Sequence, residues 1–167
     1  MENQTNTKHA FLLIAIAIYA IAMTVANLLV AKFGPAITPV NAFVLIGLDL
    51  ALRDWLHFKL KPYQMAMLIA ATGVLTFVLN PDAGRIAVAS AMAFTAAAVV
   101  DWGVFAKVKG TWFMRSNASN AAGAIVDSLV FPTIAFGALM PTIIASQFVA
   151  KVVGGAVWAY LLKKRMP

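Results

Sequence analysis

The sequence predicts an all-α fold, a polytopic integral membrane bundle of six transmembrane helices. The chain has 167 residues, of which 62% are apolar and only 11% charged. A soluble domain carries roughly 25% charged residues, so too few are present to wet a soluble surface. The apolar residues also fall into six runs, most of them near the ~20-residue length that crosses a bilayer. Gly, Pro and most charges collect between the runs. No run alternates apolar and polar residues as a barrel strand does, which leaves helices to satisfy the backbone in lipid. The length fits one integral membrane domain over 1–167.

Residues 1–9 (MENQTNTKH) read as a short polar cytoplasmic tail. The first helix is expected over Ala10–Ala31. That run exceeds the roughly 7–15 apolar residues of a signal-peptide core, so it reads as a retained span. Gly34-Pro35 and Pro39 break the chain before a short second run, Pro39–Leu52. Lys61-Pro62 precedes the third helix, Tyr63–Leu79, with Pro62 in an early position where a missing N–H is harmless. Asn80-Pro81-Asp82-Ala83-Gly84 is a turn by composition. The fourth helix is expected over Arg85–Ala106, the fifth over Ser119–Leu139 with Pro132 inside it, and the sixth over Pro141–Leu162.

Basic residues set the orientation. Ten of the 13 Lys and Arg (Lys8, Arg53, Lys59, Lys61, Lys107, Lys109, Arg115, Lys163, Lys164 and Arg165) fall on one side of an even-numbered bundle. Lys32 and Arg85 fall on the other side, and Lys151 lies within the sixth helix. Both termini are therefore expected in the cytoplasm, with the chain in the cell's inner membrane. The net charge of +7 sits at span ends among lipid headgroups. It forms no basic stripe with interleaved aromatics, so no nucleic-acid partner is expected.

The informative residues are the acids at or inside the spans: Asp49, Asp54, Asp101 and Asp127. A charge near the bilayer centre costs ~3 kcal/mol or more, so each acid needs a partner or a function. Asp49 and Arg53 are spaced for an ion pair one helical turn apart. Asp54 belongs at headgroup level, and Asp101 lies within reach of Lys107 or Arg115. Asp127 shares a helix face with Asn120 and Phe131. Two readings stay open for it: a buried pair with Lys151 that joins the last two helices, or a group that binds a polar solute. Asn117, Ser119 and Asn120 are candidate N-caps or site residues. Ser90, Phe94, Ala97 and Asp101 share a face of the fourth helix, as do Gln147, Lys151, Gly154 and Trp158 on the sixth. Gly154-Gly155 reads as a close helix contact.

No catalytic constellation appears, so the chain is expected not to be an enzyme. His9 and His57 lie outside the spans, there is no cysteine, and no metal-ligand spacing occurs. No nucleophile elbow, phosphate loop or dinucleotide fingerprint occurs either, and no cofactor is expected.

Three stretches resemble the vitamin-uptake-transporter (VUT) family, the queuosine precursor transporters. They are Val25-Ala-Asn27-Leu-Leu-Val-Ala-Lys32; Arg85-Ile-Ala-Val-Ala-Ser90 with Asp101 and Phe105-Ala-Lys107; and Trp112-Phe-Met-Arg115-Ser-Asn117-Ala118-Ser119 followed by Asp127-Ser-Leu-Val-Phe131. Their order and spacing span most of residues 20–140. The resemblance implies a fold like the six-helix substrate-binding subunits of energy-coupling-factor transporters. It implies import of 7-cyano-7-deazaguanine or 7-aminomethyl-7-deazaguanine for tRNA modification. Family members usually carry a longer acidic segment near the second helix, where this chain reads Gly47-Leu-Asp49-Leu-Ala-Leu-Arg53-Asp54-Trp55-Leu-His57. The chain is short, like phage-encoded members. These departures leave the choice of deazaguanine open.

Physical fit to such a solute selects the candidate site. A guanine-type edge offers two parallel N–H donors to Asp127 or Asp101, and an amide at Asn117 or Asn120 complements the rest. Trp102, Phe105, Trp112 or Phe131 would stack on the flat ring, and Asn27 lies near the outer end. A carboxylate there would also favour the cationic aminomethyl form. The expected site is Asn27, Asp101, Asn117, Asn120, Asp127, Trp112 and Phe131. Energising partner proteins would supply any ATP dependence. The alternative function is a small structural or pore-forming membrane protein.

Overall fold

The computed structural model describes residues 2–57 and 59–162, less the side chains of 2–9, 54, 57, 112, 113 and 116. The described residues are helical almost throughout and contain no strand. α1 is Glu2–Phe33, and α2 covers 38–57. α3 is Pro62–Leu79, α4 Gly84–Lys107, α5 Trp112–Phe136 and α6 Pro141–Leu162. Five stretches among the described residues are long and apolar enough to cross a membrane: Ala10–Arg53, Pro62–Leu79, Pro81–Lys107, Asn117–Phe136 and Pro141–Leu162. The protein is therefore a multi-pass membrane protein by composition and structure.

The stretch Ala10–Arg53 reverses at Gly34, whose φ of +68° is a left-handed conformation that a Cβ would oppose. Pro35 then opens a tight 3-10 turn, Gly34–Ile37. Beyond it α2 runs back along α1. Asn41 Nδ2 donates to the Ala26 carbonyl at 3.0 Å, Tyr19 faces Asp49, and Phe11 meets the edge of Trp55 with ring centroids 5.3 Å apart. These pairings step evenly, as antiparallel helices require.

α2 is longer than the expected Pro39–Leu52 and is irregular. A short α segment, Thr38–Asn41, leads into a π turn, Ala42–Ile46, and then the α segment Gly47–His57. α6 explains where the π turn falls. A Cβ on Gly47 would lie 2.7 Å from the Gly154 carbonyl carbon, and one on Gly154 would collide with the Phe43 carbonyl. Only paired glycines let the two backbones approach this closely. The widened turn also presents the Val44 carbonyl to the Trp158 indole N–H at 3.0 Å.

Other boundaries moved for local reasons. α5 starts at Trp112, not Ser119, because the Thr111 hydroxyl caps it by accepting from the Met114 N–H at 3.3 Å. Asn117, Ser119 and Asn120 therefore lie inside the helix and are not its caps. α1 begins at Glu2, so the polar tail continues the helix. Arg53 is not a loop residue. It is 1% exposed within α2, with its guanidinium 4.7 Å from the centre of the Phe94 ring.

Packing is inverted relative to a soluble protein. Large apolar side chains such as Leu13, Met67, Val78, Val99, Leu129 and Val149 are exposed, while Thr24, Thr72, Thr76, Ser119 and Ser128 are buried. Hydroxyls on α3 satisfy themselves locally: Thr72 donates to the Ile69 carbonyl at 2.7 Å and Thr76 to the Thr72 carbonyl at 2.8 Å. The apolar core is divided. One cluster gathers Tyr19, Met23, Leu52, Trp55, Leu56, Met65 and Phe94. A second gathers Val30, Ile86, Ala89, Ala93, Phe131 and Ala135. A polar hollow lies where they meet.

Candidate functional site

The hollow has a volume of about 30 Å³ and is partly open, room for about two waters. α1 contributes Ala26, Asn27 and Val30, and α2 contributes Thr38, Asn41, Ala42 and Ile46. α4 adds Ser90 and Phe94, α5 adds Asp127 and Phe131, and α6 adds Gln147 and Lys151. Five helices thus converge, each through the part nearer the loops that hold Lys32 and Arg85.

The ionic centre is Asp127 and Lys151. The Lys151 ammonium lies 2.8 Å from the Asp127 carboxylate, and the two side chains are 3% and 13% exposed respectively. The ammonium also donates to Ser128 Oγ at 3.2 Å and to Gln147 Oε1 at 3.1 Å. Three acceptors thus use all three of its N–H bonds. Pro132, fully buried one turn beyond, has no N–H for the Ser128 carbonyl, which adds a local acceptor to this part of α5.

Around the pair stand neutral amides. Asn27 Nδ2 reaches Thr76 Oγ1 at 3.4 Å. Asn41 is 5% exposed and Gln147 2%, and each keeps one buried atom, Asn41 Oδ1 and Gln147 Nε2, with no hydrogen-bond partner among the described residues. The roles of these atoms are fixed by their neighbours. The Ala26 carbonyl only accepts, so the Asn41 amide must turn its NH₂ toward it, which leaves its oxygen as the unpartnered atom. The Lys151 ammonium only donates, so Gln147 must turn its oxygen there, which leaves its NH₂ as the unpartnered group. A buried orphan donor or acceptor costs about 1–3 kcal/mol, a penalty that a polar guest would relieve.

The sequence-derived candidates divide. Asn27, Asp127 and Phe131 line the hollow. Asp101, Asn117 and Asn120 do not, and they lie toward the opposite ends of α4 and α5. Asp101 packs at that helix interface, its Cβ 3.4 Å from where a Cβ on Gly123 would stand. Arg115 does not stand as its evident partner, because the guanidinium covers the Phe105 ring at 4.1 Å and donates to the Phe105 carbonyl at 2.9 and 3.0 Å. Trp102 is 74% exposed and faces away from the interior. The Trp112 and Asp54 side chains lie outside the described residues.

Thr38 and Asn41 escaped the sequence reading because they sit in a run too short and too broken by proline to give a clear helical face. Ser90 with Phe94 and Gln147 with Lys151 are visible in the sequence as shared faces, and Lys151 also as a candidate partner of Asp127, which the 2.8 Å contact bears out; the other joins across helices carry no sequence signal. A second buried group lies behind Phe94: Tyr19, Asp49 and Arg53 are each at most 1% exposed, and Tyr19 faces both charges. Phe94 therefore has the hollow on one side and Arg53 on the other.

No curated protein and no solved structure matches the chain. A family model does, over residues 5–162, which cover nearly all of the helical bundle just described, and the chain belongs to that family, described as "Putative vitamin uptake transporter".

Proposed function

We propose that this protein imports a queuosine precursor, a 7-deazaguanine, across the inner membrane, and that the hollow between α1, α2, α4, α5 and α6 is where the solute is held. The observation that supports this most is a polar hollow between five helices, lined by Asn27, Asn41, Ser90, Asp127, Gln147 and Lys151, inside a bundle whose exposed side chains are largely apolar. Phe94 and Phe131 offer faces for a flat ring, and Ser90, Thr38 and Asn27 supply further donors and acceptors.

Six passes and cytoplasmic termini complete the reading, with the stretch Ala10–Arg53 crossing twice. About 20 residues at 1.5 Å each make α2 ~30 Å long, sufficient for the hydrocarbon core. The basic residues then mark the cytoplasmic side, and the hollow opens in the outer half, where an imported solute arrives. At about 30 Å³ it is too small for a bicyclic base, so the helices must part for loading. Release requires a rearrangement of the bundle, either autonomous or driven by energising partner proteins.

The test is uptake in cells unable to make deazaguanines. Expression restores tRNA queuosine at low external precursor, and Asp127→Ala or Gln147→Met abolishes the restoration. Asn117→Ala, away from the hollow, retains it. Well-inserted protein that fails to restore queuosine ends the transport reading. Restoration that survives Asp127→Ala and Gln147→Met, but not Asn117→Ala, moves the site to the cytoplasmic ends of α4 and α5.

A further inference from the structure

The hollow has a floor. Its lining ends at Ala26 on α1 and at Ile46 on α2, and Phe94 is the lining residue of α4 farthest from the loops that hold Lys32 and Arg85. Seven residues deeper on α1 and α2 stand Tyr19 and Arg53, about 10 Å further at 1.5 Å per residue. Both reach the Phe94 ring. The Arg53 guanidinium lies 4.7 Å from its centre, and the Tyr19 ring meets it edge-on with centroids 6.5 Å apart. Tyr19 also faces Asp49 and Arg53. All four side chains are buried, and Leu52, Trp55, Leu56 and Met65 close the same cluster.

Permanent closure does not call for charges here. Apolar side chains of similar volume would fill the space, and exchanging a buried ion pair for them is often neutral or stabilising. This chain instead keeps Asp49 and Arg53 one helical turn apart on α2, where charge is expensive. Groups that are stacked and paired when the floor is shut, and hydrated when it opens, make both states accessible. The closing contact also joins parts that can move apart. Phe94 belongs to α4, whereas Arg53 belongs to α2, whose Gly47 packs backbone to backbone on Gly154 of α6. A shift of α2 with α6 against α4 draws the guanidinium off the ring and opens the floor.

We propose that the Phe94 ring is the cytoplasmic gate of the transport path, and that Arg53 is the positioning residue that holds it shut by stacking on the ring. This rests on the import reading and its orientation, and it names the contact that breaks for release. A planar guanidinium suits the role. A lysine would keep a positive charge near Asp49 but lose the stacked plane.

The chain has no cysteine, so Ser90→Cys places a single thiol in the lining, one turn above Phe94. Full-length protein in intact cells and in inside-out vesicles is treated with a small membrane-impermeant methanethiosulfonate. The thiol is expected to react from the outer face, and about tenfold or more slowly from the cytoplasmic face, a bias of the size that a desolvated cation–π contact gives. Adding Phe94→Leu or Arg53→Lys is expected to raise the cytoplasmic-face rate about tenfold and to leave the outer-face rate within about twofold. Where Arg53→Lys does not insert, Asp49→Asn with Arg53→Met, which removes both charges together, takes its place. An unchanged cytoplasmic-face rate in Phe94→Leu overturns the gate, and an unchanged rate in the Arg53 variant overturns the positioning role. Rates that rise equally from both faces mean general loosening and overturn both. Equal parent rates from the two faces, or reaction from neither, also overturn the gate, because the hollow then has no closed floor or no outer opening. No solute enters this assay. Failure here with queuosine restoration intact therefore removes the gate and leaves import, whereas the expected labelling without restoration leaves the gate and removes the deazaguanine.

Discussion

Removing one partner of the Asp127–Lys151 pair should destabilise the protein far more than removing both. In Asp127→Ala the ammonium of Lys151, on a side chain 3% exposed, is left without its counter-charge. Breaking a buried pair in this way typically costs about 3–5 kcal/mol. The lower end applies here, because Ser128 and Gln147 still accept from the ammonium at 3.2 and 3.1 Å and Asp127 keeps 13% exposure. An estimate of ~3 kcal/mol corresponds to a drop of roughly 6–12 °C in Tm for a chain of this length. Lys151→Met strands the carboxylate and should lose a similar amount. The double substitution removes both charges and should recover most of the loss, since an apolar replacement for a buried pair is often close to neutral. Thermal unfolding of the four proteins in one detergent gives the coupling directly, expected at about 2 kcal/mol or more. Coupling within about 0.5 kcal/mol would refute the argument, because it would mean that each charge is solvated independently of the other.

Two further substitutions probe the scaffold. Gly154→Ala drives a Cβ into the Phe43 carbonyl and should cost about 1–3 kcal/mol, whereas Gly73→Ala, with open space around it, should leave the melting temperature unchanged or raise it slightly. Equal behaviour of the two in a thermal melt would remove the case for a backbone contact between α2 and α6. Thr111→Ala should cost about 1 kcal/mol by deleting the cap of α5 and should speed amide exchange at Met114 without changing it at Asp127. Exchange that stays slow at Met114 would place the helix start elsewhere.

The sequence makes the helical, membrane-spanning character legible because lipid enforces it strongly. Long apolar runs, Pro62 at a helix start and the turn around Pro81 each report a local requirement of the backbone. The second helix is harder to read. Its apolar run is short, its ends carry Thr38, Asn41 and Arg53, and what shapes it is contact with Gly154 and Trp158, more than a hundred residues away. The site divides along the same line. Asp127 stands out because a buried acid is expensive wherever it lies. Asn41 and Thr38 do not, because an amide or hydroxyl near a proline-rich turn has an ordinary local explanation. Asp101, Asn117 and Asn120 carry the same kind of signal as Asp127. Their places beside Lys107 and Arg115 put them at the other end of the same two helices, but sequence alone does not show that the hollow forms at the Asp127 end.

Two readings of Asp127, as half of a structural pair and as part of a binding site, look like rivals in the sequence and need not be. Hydrocarbon tolerates a net charge poorly but accepts a neutral constellation whose hydrogen bonds are met. By neutralising Asp127, Lys151 lets α5 and α6 carry strong polar groups into the bundle. By holding Gln147 Oε1, it also fixes the orientation of an amide in the wall of the hollow. The same ammonium that ties the helices together therefore leaves the site polar and uncharged.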